Sequence, residues 1–283
     1  MAAYNILTVE QFGRAMITTG DLDPIYIALH RMQMPEDQRN RWLVAYWCFY
    51  HAGFACYASE RDGNDFWQTM MTAAVNEVPA PTGGRWPRGS ERRHFRGGQG
   101  IRAIQELTAL YKRPGYMVEH IASHSLNDLV RPVEGVFRVV KSHRGFGDWI
   151  SFKVADMLDR CTDYPVQFDN AHVFMFADPV KGAELACLHW GHGVVKGEYF
   201  SNLAVKRLIE TFSNLTAPPK HERPPNVQEI ETVLCKWKGH MRGHHPVGHD
   251  THEILQGLLP WQLHSLTVSA FWDAMPSLHG TQI

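Results

Sequence analysis

Residues Lys141–Ile150, KSHRGFGDWI, decide the fold of this chain. An apolar residue stands between Gly145 and Gly147, and the segments on both sides have helical patterns. The apolar residues after the second glycine share one helical face: Ile150, Val154 and Leu158. The pattern predicts two helices joined by a tight glycine turn, which is the arrangement of a helix–hairpin–helix motif.

The same turn is a candidate phosphate-binding site. Glycines permit a tight backbone path, and the free amides at the start of the following helix can hold one DNA phosphate. The candidate DNA-binding residues are Ser142, Gly145, Phe146 and Gly147. A Gly-x-Gly turn alone is weakly specific, because many helical proteins contain such turns without a ligand.

The rest of the chain also has mainly helical patterns. Pro24 and Pro35 stand at typical helix starts, and Trp42–Ala58 predicts a helix that is buried nearly all round. Glycines and prolines in Val78–Gly100 exclude a long helix there. Further helices are predicted over 101–111, 116–124, 138–160 with the turn inside, 196–212 and 226–238, and a linker over 216–225. Strand patterns are scarce and Val173–Phe176 is too short to decide, so the predicted fold class is mainly α.

Composition and charge exclude several classes of protein. The 283 residues carry 28 Lys and Arg against 29 Asp and Glu, which excludes nucleic-acid binding through bulk positive charge but not through local basic patches. Five Cys in no framework spacing indicate a reducing compartment. The N-terminus has no signal-peptide pattern, and Trp42–Ala58 contains His51, Gly53 and five Trp or Tyr, which argues against a membrane span. We therefore expect a soluble intracellular globular protein.

The segment Gly84–Gly97, named here the arginine loop, is strongly basic within an otherwise neutral chain. It has five Arg against one Glu. The planar guanidinium of Arg donates two hydrogen bonds at once to phosphate oxygens. Trp86 and Phe95 interleave with the charges, as expected where bases stack on aromatic rings. We expect a polyanion-binding loop, and the alternative is a disordered basic tether.

The segment Cys235–His252, named here the lysine–histidine segment, is a second candidate for anion binding. It supplies three positive charges, from Lys236, Lys238 and Arg242, before its first acidic residue. Possible zinc ligands are also present, but their spacing matches no closed structural zinc pattern: Cys235, His240, His244, His249 and Asp250. An anion site, a solvated loop and a metal site all stay open, with the anion site favoured. No metal and no cofactor is assigned.

Beyond the glycine turn, the chain resembles the helix–hairpin–helix DNA glycosylase superfamily. The resemblance rests on the turn, the helix after it, the pair Pro165-Val166, and Asp169, which lies 22 residues after the second glycine. It implies a helix–hairpin–helix DNA glycosylase-like helical fold, with one domain of two lobes over 1–283 and the hairpin and Asp segment at about 138–176. Asp169 would be the active-site carboxylate, and the alternative is the N-cap of a structural turn. Trp149 stands where bifunctional members have a Lys, so no Schiff-base lyase chemistry is expected.

The chain as a whole is similar to one branch of that superfamily, the phage thymidine-hypermodification enzymes called amino acid:DNA transferases or α-glutamyl/putrescinyl-thymine pyrophosphorylases. The matching stretches lie along most of the chain: Arg41–His51, Arg92–Gly97, Gly145–Leu158 and Cys235–Lys238. The resemblance implies double-stranded DNA in which a 5-hydroxymethyluracil DNA kinase has produced a pyrophosphate ester, in the cytoplasm of an infected bacterium. An amine would replace pyrophosphate on the methyl carbon. Glycine is the first expectation, with glutamate and putrescine as alternatives.

This reaction has three chemical requirements. The base must leave the stack, cations must neutralise the departing pyrophosphate, and the incoming ammonium must lose a proton. Asp169 could accept that proton, which predicts a desolvated carboxylate. The predicted pyrophosphate-binding residues are Arg88, Arg92, Arg93, His94, Arg96, Lys236, Lys238 and His240. An amino-acid carboxylate would need a cation such as Lys153, Arg144 or an Arg of the loop.

Two other classes of function fit part of the sequence. In base excision, Asp169 would activate water and leave an abasic site, whereas a DNA-binding module would keep the hairpin without chemistry. The hairpin and Asp169 fit the transferase and the glycosylase equally well. The arginine loop and the lysine–histidine segment favour the transferase, because a glycosylase for a neutral base needs no such cations.

Overall fold

The computed structural model describes residues 5–123, 131–169, 176–192 and 198–277, and these are mainly helical, as predicted. The helices are α1 (Val9–Thr19), α2 (Pro24–Met32), α3 (Glu36–Phe49), α4 (Ala52–Ser59), α5 (Gly63–Val75), α6 (Gly97–Leu110), α7 (Pro114–Ser123), α8 (Val133–Lys141), α9 (Asp148–Cys161), α10 (Ala177–His189), α11 (Glu198–Thr211), α12 (Val227–His240), α13 (His249–Leu258) and α14 (Leu266–Ala274). Short 3₁₀ turns cover Ser90–Arg92 and Leu259–Trp261. Two short strands, β1 (Arg131–Pro132) and β2 (Val166–Gln167), pair in parallel. Most of the undecided stretch Val173–Phe176 lies outside the described residues.

The chain divides into two compact units. The first unit comprises residues 1–27, 168–253 and 276–283, and the second comprises residues 28–167 and 254–275. The expectation of one domain with two lobes stays a prediction. Within the described ranges, no helix has the length and apolar character that a membrane crossing requires.

The core of the first unit lies between α1, α10, α11 and α12. On α1, the side chains of Val9, Phe12 and Met16 recur at helical spacing and are fully buried. Helix α12 approaches α10 so closely that a Cβ on Gly182 would lie 2.0 Å from the Leu234 carbonyl oxygen. Glycine is therefore required at this crossing.

The core of the second unit is rich in aromatic side chains on α3 and α4. The single helix predicted over Trp42–Ala58 is wrong, because Tyr50 adopts a left-handed conformation (φ 50°) and ends α3. His51 then begins α4, since its Nδ1 accepts a hydrogen bond from the Phe54 amide at 3.1 Å. Within Trp42–Ala58 nearly every residue is buried, as the composition of the stretch predicted, whereas α3 begins with the exposed Glu36 and Asp37.

Helices α8 and α9 lie on the two sides of the glycine turn, where two helices were predicted. Ile150, Val154 and Leu158 are all buried, as their spacing predicted. Helix α6 begins at Gly97, four residues before its predicted start at Ile101. The relation of this turn to a DNA-binding hairpin stays a prediction.

Candidate functional site

The arginine loop is tied to the glycine turn by one buried side chain. The Arg92 Nη1 atom donates a 2.7 Å hydrogen bond to the Gly145 carbonyl oxygen, and Nε donates to the Cys48 carbonyl oxygen at 3.2 Å. The guanidinium also lies over the Phe95 and Phe146 rings, 4.4 and 4.8 Å from their centroids. Two separate predictions, the loop and the turn, thus fall at one place in the second unit.

Two arginines of the loop, the buried Arg92 and the half-buried Arg88, bond backbone carbonyl oxygens. Burial lowers the pKa of Arg92 to about 10, and burial together with the Arg96 charge lowers that of Arg88 to about 10, so both stay cationic at neutral pH. Arg88 donates to the backbone carbonyl oxygens of Phe95 and, at 2.8 Å, of Ala73. Arg88 and Arg92 therefore anchor the loop to the backbone. Their predicted contacts with pyrophosphate stay a prediction, since Arg88 is only half-buried and the buried Arg92 Nη2 has no hydrogen-bond partner.

The predicted base-stacking role of Trp86 and Phe95 is also wrong. Trp86 is 6% exposed and Phe95 is 1% exposed. The Trp86 indole donates to the Val78 carbonyl oxygen at 2.9 Å, and its ring packs against Phe54. Both aromatic residues hold the arginine loop onto the core.

Three members of the predicted pyrophosphate-binding set stay at the surface of the loop. Arg93, His94 and Arg96 are exposed, and we name them the cationic edge. The His94 Nε2 atom lies 3.2 Å from the Gly145 carbonyl oxygen, and the Arg96 Nε donates to the Arg93 carbonyl oxygen at 2.8 Å. The cationic edge therefore begins at the glycine turn itself.

The four predicted DNA-binding residues of the turn differ in backbone conformation, burial and hydrogen bonding. Gly145 has φ +80°, and a Cβ there would lie 2.8 Å from Phe95, whereas a Cβ on Gly147 would meet nothing within 4 Å. Gly147 is the N-cap of α9 and has no side chain to bond the first amides of that helix. Phe146 is buried and its amide donates to the His143 carbonyl oxygen at 3.1 Å, so its side chain has a packing role, while its predicted DNA contact stays a prediction. Ser142 is exposed beside the turn.

Charged side chains around the turn form pairs. Lys141 Nζ lies 2.6 Å from an oxygen of Asp148, at the first position of α9. Arg144, a candidate partner for an amino-acid carboxylate, bonds Glu106 at 2.9 Å. All four side chains are more than 40% exposed, so these pairs are screened by solvent and can exchange partners.

Sequence reasoning missed an aromatic contact beside the turn. The ring of Tyr50, at the left-handed end of α3, lies 4.8 Å from the ring of Trp149, edge to face, and 4.5 Å from that of Tyr46. Burial is the main cause that raises the pKa of Tyr46, and the charge of nearby Lys153 opposes it. The sequence does show an aromatic residue at this place, because Trp149 stands two residues after the second glycine.

Asp169 belongs to the first unit and is exposed, next to Phe168, which packs on the core of that unit. The predicted desolvation is therefore wrong for the protein without DNA. Desolvation of this carboxylate would require a bound substrate to cover it.

The lysine–histidine segment uses much of its charge within the first unit. Lys236 Nζ donates to the carbonyl oxygens of Asp21, at 3.1 Å, and Leu22, and it pairs with the Asp250 carboxylate. These three acceptors match the three hydrogens of an ammonium group. The predicted contact of Lys236 with pyrophosphate is corrected accordingly.

His240 is also an internal residue, 2% exposed. Its Nε2 accepts a hydrogen bond from the Leu7 amide at 2.9 Å, and its Nδ1 lies 2.9 Å from the His245 carbonyl oxygen. Burial lowers the pKa of His240, which agrees with a neutral ring that donates through Nδ1. No ring nitrogen is left for pyrophosphate, so that prediction is corrected. Lys238 pairs with Asp178 and keeps two hydrogens for other acceptors.

The predicted pyrophosphate-binding set is therefore divided. Its arginine-loop members belong to the second unit, and its lysine–histidine members belong to the first. In each unit the buried cations are internal anchors, and the cationic edge is the part of the set that is exposed.

The chain is similar to a family of DNA-modifying transferases and to two phage proteins. The family model described as amino acid:DNA transferase matches residues 17–244. The chain is 44% identical to a glycinyltransferase of Pseudomonas phage PaMx11, over 97% of this chain and 98% of that protein. It is 28% identical to a putrescinyltransferase of Delftia phage PhiW-14, over 88% of this chain and 77% of that protein.

The matched range contains both the arginine loop and the glycine turn, and it ends inside the lysine–histidine segment. The similarity to phage proteins extends over nearly the whole chain, and both are named as transferases, so the alternative of base excision is not supported. This chain belongs to the amino acid:DNA transferase family and is a transferase that modifies DNA.

Proposed function

We propose that this enzyme transfers glycine to the methyl carbon of 5-pyrophosphoryloxymethyluracil in double-stranded DNA and releases pyrophosphate. Glycine is chosen because the relative with 44% identity is named a glycinyltransferase, while the putrescinyltransferase is 28% identical. The substrate would be supplied by a kinase that acts on 5-hydroxymethyluracil in DNA, in the cytoplasm of the infected host.

The observation that carries the proposal is the 2.7 Å bond between Arg92 and the Gly145 carbonyl oxygen. Because of this bond, the cationic edge lies beside a turn whose second glycine leaves helix amides open to an anion. A DNA strand whose phosphate is held at Gly147 would have Arg93, His94 and Arg96 close to it. The two guanidinium groups, of Arg93 and Arg96, would neutralise the charge that grows on the departing pyrophosphate.

The reaction is a displacement at carbon. The amine lone pair of glycine forms the new C–N bond, and the C–O bond to pyrophosphate breaks with its electron pair on the leaving oxygen. The ammonium form of glycine must first lose a proton, and we assign Asp169 as the acceptor. The glycine carboxylate would need a cationic partner, for which the candidates are Lys153, Arg144 and an arginine of the loop.

Mass spectrometry of nucleosides tests the substrate and the amine together. DNA with the pyrophosphate ester is incubated with the enzyme and, in separate reactions, glycine, glutamate or putrescine. We expect the adduct mass with glycine alone. An adduct only with another amine would overturn the choice of glycine, and release of free base would overturn the transferase reaction.

The role of Asp169 is tested by Asp169→Asn, with the exposed Asp163→Asn as a matched control. We expect transfer to fall about 10²- to 10⁴-fold in the first variant, which is the usual contribution of a general base, with unchanged DNA affinity. Undiminished transfer by Asp169→Asn would remove this residue from the reaction.

A further inference from the structure

We propose that His245, His249 and Asp250 in the first unit bind a zinc ion. One ligand atom from each of the three side chains lies within 4.8 Å of the other two. The His245 Nε2 atom is already 3.3 Å from Asp250 Oδ1. Ligand atoms around a tetrahedral zinc ion are about 3.3 Å apart, given bonds of about 2.0–2.1 Å. A movement of His249, whose Nε2 atom is 3.8 Å from Glu253 Oε2, toward the other two side chains would complete the three ligands.

The nitrogen of His245 has an unmet bonding requirement. Its Nε2 atom is buried and has no hydrogen-bond partner, since the contact with Asp250 does not have hydrogen-bond geometry. Buried polar atoms without a partner are rare in folded proteins and require an explanation. The ring of His249 lies 4.6 Å from that of His245, so the unmet nitrogen is next to a second imidazole. A metal ion would satisfy it.

The backbone and the carboxylate of the site are held by surrounding bonds. Asp21 accepts from the amides of Gly248 and Thr251 at 2.7 and 2.8 Å, on the two sides of His249 and Asp250. His240 bonds the carbonyl oxygen of His245 at 2.9 Å. These bonds fix the backbone that carries the three ligands.

Local charge also favours a cation. Lys236 pairs with Oδ2 of Asp250 and leaves Oδ1 facing His245. The carboxylates of Asp250, Asp23 and Asp21 all act on this one ammonium, so acidic groups outnumber it three to one. Two imidazoles and one carboxylate suit zinc among the common divalent ions, whereas magnesium and calcium prefer oxygen ligands.

Metal binding by the full-length protein tests the proposal without DNA, so its outcome is independent of the transfer reaction. The protein is stripped with a chelator, and zinc binding is followed by calorimetry and cobalt binding by visible absorption. We expect one ion per chain, with absorption bands typical of tetrahedral cobalt. In His249→Gln the affinity should fall at least about tenfold. The exposed His252→Gln, from the same segment, should bind as the unchanged protein does.

Three results would overturn the proposal. The first is the absence of stoichiometric binding in the unchanged protein, and the second is equal loss in His249→Gln and His252→Gln, which would indicate surface binding. The third is that the unchanged protein binds inorganic pyrophosphate and not zinc, and that His249→Gln abolishes this pyrophosphate binding. A circular dichroism spectrum identical to that of the unchanged protein would confirm that His249→Gln folds, and His245→Gln provides a second test of the same site.

Discussion

The arginine loop and the lysine–histidine segment look alike in sequence and differ in structure. Both are rich in cationic residues and both were predicted to bind pyrophosphate. In the arginine loop, Arg88 and Arg92 bond backbone carbonyl oxygens, but Arg93, His94 and Arg96 stay exposed beside the glycine turn. In the lysine–histidine segment, Lys236 donates to the carbonyl oxygens of Asp21 and Leu22 and pairs with the Asp250 carboxylate. A cation is available to a ligand only where the fold has not already supplied its partners.

The buried charges of the two regions also have different partners. Although burial alone would lower the pKa of Lys236, the carboxylates of Asp250, Asp23 and Asp21 raise it. Arg92 is held instead by neutral carbonyl oxygens and aromatic faces, and burial lowers its pKa. We therefore expect replacement of Lys236 to cost more stability than replacement of Arg92.

The largest expected effect is that of Lys236→Met. Removal of one partner from a buried ion pair typically costs about 3–5 kcal/mol, because the other charge is left without compensation. Urea unfolding should show this loss, while Lys238→Gln, which breaks a more exposed pair, should cost less than about 1 kcal/mol. Equal losses in the two variants would contradict the assignment of Lys236 as an internal anchor.

Arg92→Met should be the next most costly change. It leaves the carbonyl oxygens of Gly145 and Cys48 without their bonds from a charged donor, each worth about 1.5 kcal/mol or more, for a total of about 3 kcal/mol. The matched control is the exposed Arg93→Gln, which should change the free energy of unfolding by less than about 0.5 kcal/mol. An unaltered stability of Arg92→Met would show that the loop is not anchored through this side chain.

His51 extends the comparison to a buried group whose pKa is shifted by burial alone. Burial lowers its pKa to about 4, so the unfolded chain, with a pKa of about 6.5, takes up the proton first as the pH falls. Stability is then lost between pH 6.5 and 4, by about 2 kcal/mol from this group between pH 7 and pH 5. Urea unfolding at the two pH values should show the loss, and His51→Asn, which keeps a capping acceptor, should reduce it. An equal pH dependence in His51→Asn would contradict this assignment.

The two glycines of the turn give the smallest expected difference in stability. Gly145→Ala should cost about 1–2 kcal/mol, because alanine is strained at positive φ and its Cβ would meet Phe95. Gly147→Ala has room for its Cβ and should leave stability within about 0.5 kcal/mol while it weakens DNA binding, since the methyl group would face the phosphate. Unchanged DNA affinity in Gly147→Ala would argue against phosphate binding at this turn.

Local patterns predicted the helices and the turn well. Pro24, the acidic start at Glu36 and the Gly-x-Gly turn all mark boundaries that the structure has, because each has a local backbone cause. The end of α3 was missed, since Tyr50 is neither Gly nor Pro and the His51 cap depends on side-chain geometry. Five helices were not predicted: α1, α5, α10, α13 and α14.

The sequence predicted which residue types form the candidate site, but it did not predict which of these residues are exposed. Arg92 and Arg93 are neighbours in sequence, yet one is buried and the other exposed, and only their contacts with the core decide which. His245 was not among the metal ligands considered, because the spacing of the histidines does not reveal that the chain folds back between His240 and Asp250. Such long-range contacts are set by packing, which no local pattern contains.

The most direct test of the account is the transfer rate of the double variant Arg93→Gln/Arg96→Gln on pyrophosphorylated DNA, compared with Lys238→Gln. We predict that the double variant loses transfer by about tenfold or more at unchanged stability, because the cationic edge no longer neutralises the leaving group. Lys238→Gln should retain full transfer. Full activity of the double variant, or an equal loss in Lys238→Gln, would contradict the assignment of the arginine loop as the site of pyrophosphate departure.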